Sequence, residues 1–193
     1  MDKIKIAING FGRIGRLFFR QILSDPSVSQ RIEIVAINDL GDVENLRYLF
    51  KYDSVYGRFE TPIDNIKFLQ EKDAAKLPWK DLGVDIVVES TGVFESYEKA
   101  KAHLDAGAKR VVLTAPVSAK ASAGKPAKDE EGKLGRTVLI GLNEDEIKEY
   151  KITSNASCTT NGIASVLAIL SEDPGIEKAV LNTIHAMTNT QTV

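Results

Sequence analysis

Apolar and polar positions alternate along this chain with two different periods, and the switches between them mark out its elements. Ile4, Ile6 and Ile8 alternate with Lys5 and Ala7, a period of two that predicts a short strand. A glycine turn follows from Gly10 to Gly15. Ile14, Leu17, Phe18, Gln21 and Ile22 then fall at helical spacing, and Asp25-Pro26 is placed to stop that helix. Ile32 to Ile37 is a nearly continuous apolar run ending in Asn38-Asp39, as in a parallel strand covered on both faces. Val43 to Phe50 predicts a helix with Leu46, Leu49 and Phe50 on its apolar side. Tyr52 to Lys80 is mixed and carries one strand signal, Ile66 to Leu69. Val84 to Val88 predicts the next buried strand. Ser96 can cap a helix running to about Ala106, with Gly107 placed to end it. Val111 to Thr114 predicts another strand, closed by Ala115-Pro116. Ser118 to Arg136 is rich in Ala, Lys and Gly without apolar periodicity, which predicts an exposed loop. Val138 to Ile140 predicts a strand, and Ile147 and Tyr150 a short helix before Ile152. Ser157 can cap a helix from near Cys158 to about Leu170. Asp173-Pro174-Gly175 makes a turn, and Val180 to His185 predicts a strand. The βαβ order predicts an α/β fold, a doubly wound parallel sheet extending to about residue 156.

Composition narrows the classes of function. The chain has 193 residues, 43% hydrophobic and 27% charged, with a net charge of -2, which gives no electrostatic reason to expect nucleic acid as a ligand. No apolar run approaches the ~20 residues that span a bilayer. Met1-Asp2-Lys3-Ile4 leads straight into a strand pattern, so no secretory leader is expected. A single cysteine excludes an internal disulfide and fits a reducing compartment. One Cys and two His argue against a metal site.

Two constellations carry chemistry. Gly10-Phe11-Gly12-Arg13-Ile14-Gly15 is a G-x-G-x-x-G that follows a strand and opens a helix, the context in which it binds a dinucleotide. The first glycine permits a tight turn, the second lets the backbone approach a pyrophosphate, and the third lets the helix pack on the strand. Asp39, ending the second strand, can accept hydrogen bonds from ribose hydroxyls and would repel a 2′-phosphate, which favours NAD over NADP. The second constellation is Ser154-Asn155-Ala156-Ser157-Cys158-Thr159-Thr160-Asn161, which puts the only cysteine where a loop becomes a helix. A helix N-terminus stabilises a thiolate, and these polar neighbours are not those of a core cysteine. His185 can return beside Cys158 as general base. His103 lies on an ordinary surface-helix pattern without a partner signal, and reads as a hydrogen-bonded core histidine.

The glycine motif with Asn9 and Arg16, together with Ala36 to Asp39, Glu89 to Phe94, Gly107 to Val111, Ser154 to Asn161 and His185-Ala186, resembles the signature segments of the glyceraldehyde-3-phosphate dehydrogenases, in the family's order along nearly the whole chain. The resemblance implies a Rossmann domain over residues 1–156 and the start of an α+β catalytic domain over 157–193. It implies NAD as cofactor, glyceraldehyde 3-phosphate and inorganic phosphate as substrates, a cytoplasmic homotetramer, and chemistry through a cysteine thioester. By the same resemblance Cys158 and His185 are catalytic. Gly10, Gly12, Arg13, Ile14, Gly15, Asp39, Thr91, Gly92, Thr114 and Asn189 meet the cofactor. Ser157, Thr159 and Thr188 meet phosphate groups.

The sequence also departs from the family. Gly57 to Ile66 is shortened, as if a β-hairpin were missing, and Ser118 to Arg136 is longer than the family's link. Gly162 stands where many members have a second cysteine. The chain stops at Val193, short of the family's remaining second domain. Erythrose-4-phosphate dehydrogenase, sharing thiol and base, is the alternative substrate reading. A non-catalytic dinucleotide-binding fragment is the alternative of a different class.

Overall fold

The computed structural model describes residues 2–94, 96–117 and 132–186. It divides into two compact units, Met1–Ala156 and Ser157–Val193. In chain order the first unit contains β1 (Ile4–Asn9), α1 (Arg13–Ser24), α2 (Pro26–Ser29), β2 (Ile32–Asn38) and α3 (Val43–Lys51). There follow β3 (Tyr52–Asp53), β4 (Gly57–Arg58), β5 (Lys67–Leu69), α4 (Trp79–Leu82), β6 (Ile86–Glu89) and α5 (Tyr97–Asp105). β7 (Arg110–Leu113), β8 (Gly135–Thr137) and β9 (Ile152–Ser154) complete it, and 3₁₀ turns occupy Ala74–Lys76 and Glu144–Lys148. The second unit contains α6 (Cys158–Glu172).

The main sheet has seven parallel strands in the order β5-β2-β1-β6-β7-β9-β8. Its order reverses between β1 and β6, so the crevice at the carboxyl ends of those strands is the switch point where such sheets bind ligands. Residues of β1, β2 and β6 are shared between two cores, one on each face of the sheet. Ile6, Ile8, Ile34, Ile37 and Val88 pack with Phe11, Phe19, Ile22, Leu46 and Phe50 of the glycine turn, α1 and α3. Ala7, Ala36, Val87, Val111 and Leu113 pack on the other face with Trp79, Tyr97 and Ala100. Both faces are thus covered, as the apolar runs of β2 and β6 predict.

Phe11 sits between the first two glycines of the turn and is fully buried, with its ring 5.7 Å from Phe50 and 5.9 Å from Phe68. Burying a ring of this size contributes about 1.5–3 kcal/mol, so the turn is anchored in the core by its own variable position. Arg20 is a buried cation on α1. It donates from Nε to Phe50 O at 2.9 Å and from Nη1 to Gly57 O at 3.1 Å, tying the small antiparallel hairpin of β3 and β4 to the helix.

Several elements differ from the sequence pattern. α1 is rotated about one position from its predicted face: Gly15, Phe19 and Ile22 are buried, and Ile14 is exposed. The cause is Gly15, where a Cβ would lie 2.2 Å from Gly10 O, so the glycine side of the helix must face the strand. The strand predicted at Val138–Ile140 lies instead at Gly135–Thr137, which also removes Gly135 and Arg136 from the predicted loop; residues 118–131 of that loop lie outside the described residues. Gly135 takes this place because a Cβ there would be 2.3 Å from the Tyr97 ring, and the triplet Gly-Arg-Thr has no apolar period to read. The helix predicted near Ile147 is a 3₁₀ turn. Val180–His185 forms no strand among the described residues; Val180 and Ile184 are exposed, with no ladder to join. His103 is buried and hydrogen-bonded, in agreement with its reading as a core histidine, although the helix pattern around it is that of a surface face and carries no partner signal. No helix of the described residues is long and apolar enough to cross a membrane.

Candidate active site

The glycine turn lines a cleft of about 400 Å³ at the switch point, together with Asn9, Asn38, Asp39, Ser90 and Thr91, a size within the range of small-molecule sites. Each glycine of the motif has its own reason. Gly10 has φ +91, and a Cβ on it would lie 2.6 Å from Thr91 N, so the turn can pass the β6 loop only as glycine. Gly15 is required by the turn itself, since a Cβ there would lie 2.2 Å from Gly10 O. A Cβ on Gly12 would meet no protein atom within 4 Å. The space beside Gly12 is open at the first turn of α1, where the helix has no side-chain cap. Backbone N–H groups at an uncapped helix start suit a pyrophosphate, so these residues fit the dinucleotide they were predicted to bind. Arg13 and Ile14 are exposed on that first turn.

Asp39 sits beside the turn. Its Oδ2 accepts from Phe11 N at 2.6 Å and its Oδ1 from Gly41 N at 2.8 Å. The carboxylate therefore fixes the glycine turn, and each oxygen retains acceptor capacity for a ribose hydroxyl. Thr91 and Gly92 are exposed at the end of β6, and Gly92 has φ +75. Thr114 donates from N and Oγ1 to Glu89 O at 3.0 and 3.1 Å.

Sequence reasoning passed over the polar residues beneath this cleft. Asn9, Asn38 and Glu89 end three adjacent strands and stand in register, Asn9 opposite both Asn38 and Glu89. All three are buried. A polar residue closing each of three apolar runs was the signal that could have found them.

In the second unit, α6 starts at Cys158. Ser157 is its N-cap, its Oγ accepting from Thr160 N at 3.0 Å and lying 2.8 Å from Thr160 Oγ1. Ala156, the residue before the cap, has φ 58, a left-handed conformation that costs an L-residue roughly 1–2 kcal/mol. Cys158 is exposed. Its Sγ lies 3.4 Å from His185 Nε2, and His185 Nδ1 lies 2.5 Å from Ala186 O. A carbonyl can only accept, so Nδ1 carries a proton and the neutral ring turns its Nε2 lone pair to the thiol. That is the tautomer a base needs. The hydrogen bond shared with His185, followed by those with Thr159, holds the Cys158 thiol below its ordinary pKa. The Ala186 carbonyl and then Cys158 raise that of His185. Both shifts favour a thiolate–imidazolium pair. Thr188 and Asn189 lie outside the described residues.

A doubly wound parallel sheet with a glycine turn at its switch point defines a dinucleotide-binding protein of the Rossmann class. Residues 4–97 match the family model described as glyceraldehyde 3-phosphate dehydrogenase, NAD binding domain, and residues 157–193 match the C-terminal domain of the same family. The chain is 48% identical to a glyceraldehyde-3-phosphate dehydrogenase of Thermotoga maritima and 45% identical to one of Zymomonas mobilis, each over 98% of this chain and 56% of the relative. It is 41% identical to glyceraldehyde-3-phosphate dehydrogenase 2 of Bacillus subtilis, over 98% of this chain and 54% of the relative. The chain belongs to the glyceraldehyde-3-phosphate dehydrogenase family, and the cleft lies in its NAD-binding domain. It spans about half the length of these relatives.

Proposed function

We propose that the protein carrying this chain oxidises glyceraldehyde 3-phosphate with NAD and inorganic phosphate to 1,3-bisphosphoglycerate. The observation that carries the reading is the Cys158–His185 pair, with the base in its accepting tautomer. His185 Nε2 takes the thiol proton, the thiolate attacks the aldehyde carbon, and the imidazolium returns that proton to the carbonyl oxygen, giving a hemithioacetal and a neutral ring. His185 then removes the hemithioacetal hydroxyl proton as hydride leaves the same carbon. NAD, when bound, accepts that hydride. The product at Cys158 is a thioester, activated enough to pass its acyl group to phosphate, which restores the thiolate.

In this reading Gly10, Gly12, Arg13, Ile14 and Gly15 receive the pyrophosphate, Asp39 the ribose, and Thr91 and Gly92 the adenine side. Thr114 and Asn189 serve the nicotinamide half. Ser157 and Thr159 meet the attacking phosphate, and Thr188 the substrate phosphate. Residues 1–156 are then the cofactor domain and 157–193 the beginning of the catalytic domain, of a cytoplasmic homotetramer. The test is NADH formation by the intact protein with glyceraldehyde 3-phosphate or erythrose 4-phosphate, each with and without phosphate. Phosphate-dependent turnover that favours glyceraldehyde 3-phosphate and is lost in Cys158→Ser supports the reading. Preference for erythrose 4-phosphate, or turnover surviving in Cys158→Ser, overturns it.

A further inference from the structure

Beneath the cleft lies a buried ionisable pair that the chemistry above does not use. Glu89 and His103 are almost wholly buried, with His103 Nε2 3.0 Å from Glu89 Oε2. On the far side of the ring, Trp79 Nε1 lies 3.0 Å from His103 Nδ1. An indole N–H can only donate, so Nδ1 accepts and the ring's proton is on Nε2, pointing at Glu89. The ring orientation is thus set from outside the cleft, by a tryptophan in the core.

Glu89 passes that orientation on. Its Oε2 also accepts from Asn9 Nδ2 at 2.5 Å. Its Oε1 accepts from Thr91 N at 2.8 Å and from Thr91 Oγ1. The 3.4 Å approach of Asn9 Nδ2 to His103 Nε2 is two donors converging on one oxygen, not a bond between them. Asn9 in turn accepts from Asn38 Nδ2 at 2.7 Å. Asn9, Asn38 and Thr91 all line the cleft. A carboxylate with four donors has one arrangement that satisfies it, and losing the imidazole donor leaves Glu89 free to reorient and release Asn9 or Thr91.

We propose that His103 is a positioning residue of the dinucleotide cleft, holding Asn9 and Thr91 in their binding orientation through Glu89. The proposal rests on the cleft being the cofactor's.

The test compares NAD dissociation constants of the intact protein as wild type, His103→Gln and His103→Leu, with unfolding temperatures recorded alongside. Gln can accept the indole proton and donate its amide to Glu89; Leu can do neither. His103→Leu is expected to weaken NAD binding about tenfold, the equivalent of one unmade buried hydrogen bond, while His103→Gln stays within about threefold of wild type. A purely structural role would lower unfolding temperatures without this split. Unchanged affinity in His103→Leu, or equal losses in both variants, overturns the proposal. If His103→Leu does not fold, ¹⁵N spectra of histidine-labelled wild-type protein decide. The His103 ring should be the Nε2–H tautomer, with signals that move on NAD saturation. An Nδ1–H tautomer, or signals indifferent to NAD, overturns it. Wild-type protein that fails to bind NAD contradicts the proposed function first, and this proposal with it.

Discussion

At the scale of single residues, the account rests on which atom of each polar group is already committed. His185 is committed at Nδ1 to Ala186 O, which leaves Nε2 for Cys158. Alkylation follows the thiolate fraction, and the Cys158 pKa lies below the ordinary thiol value, chiefly through the hydrogen bond with His185. The rate of alkylation should therefore rise with pH and level off at a lower pH than for free cysteine. Acid below the lowered pKa removes it. His185→Asn takes away the largest cause, so the midpoint of the rate–pH curve should move up. Turnover should fall by roughly the 10²–10⁴-fold of a lost general base. A midpoint unmoved in His185→Asn would show that the pair does not act on the thiol. Asp39 is committed differently, to Phe11 N and Gly41 N. Asp39→Ala should cost about 1–3 kcal/mol of stability from two orphaned donors, and should narrow the preference for NAD over NADP. Denaturant unfolding and binding of both cofactors measure the two effects separately; NADP bound as tightly as NAD by the wild type would contradict the role of Asp39.

At the scale of elements, the glycine turn gives a graded prediction. Gly10→Ala and Gly15→Ala force a Cβ within 2.6 Å and 2.2 Å of backbone atoms and should destabilise the fold, whereas Gly12→Ala meets nothing in the protein and should leave the unfolding temperature nearly unchanged. Gly12→Ala should nonetheless weaken NAD binding, because the Cβ enters the space the pyrophosphate needs. Thermal melts with and without NAD test this, and undiminished stabilisation of Gly12→Ala by NAD would count against the cleft. Ser157→Ala should cost about 1 kcal/mol through the lost cap of α6, and should slow alkylation of Cys158 as the first turn frays. These elements were legible because glycine turns, caps and long apolar runs are local signals. β2, α3, α5 and α6 lie within a residue or two of their predicted bounds. β8 was not legible, since Gly135–Thr137 is placed by the Tyr97 ring, a contact distant in sequence. Nor was Arg20, a cation whose burial depends on two carbonyls it meets only after folding. In the candidate site, Cys158 and Asp39 are singled out by their sequence context alone. The Glu89–His103–Trp79 chain is not, because its members come from three separate elements.

At the scale of the whole molecule, the two units differ in how their apolar surface is disposed. The first buries two cores around its sheet. In the second, Val166, Leu167, Ile169 and Leu170 of α6 are exposed, as are Ile176, Val180, Leu181 and Ile184. Exposed apolar side chains concentrated in one short segment promote association. A polypeptide of residues 1–156 should sediment as a monomer and unfold cooperatively, whereas residues 1–193 should self-associate and bind a hydrophobic dye. A monodisperse 1–193 monomer without dye binding would contradict this. The central claim is that oxidation passes through a covalent thioester on Cys158, and rapid mixing of the intact protein with glyceraldehyde 3-phosphate and NAD in the absence of phosphate tests it most directly. The account predicts a burst of about one NADH per chain, as expected of acyl-enzyme accumulation, with the acyl group found by mass spectrometry on Cys158 and released when phosphate is added. NADH formed without an adduct, or an adduct on any other residue, would contradict it.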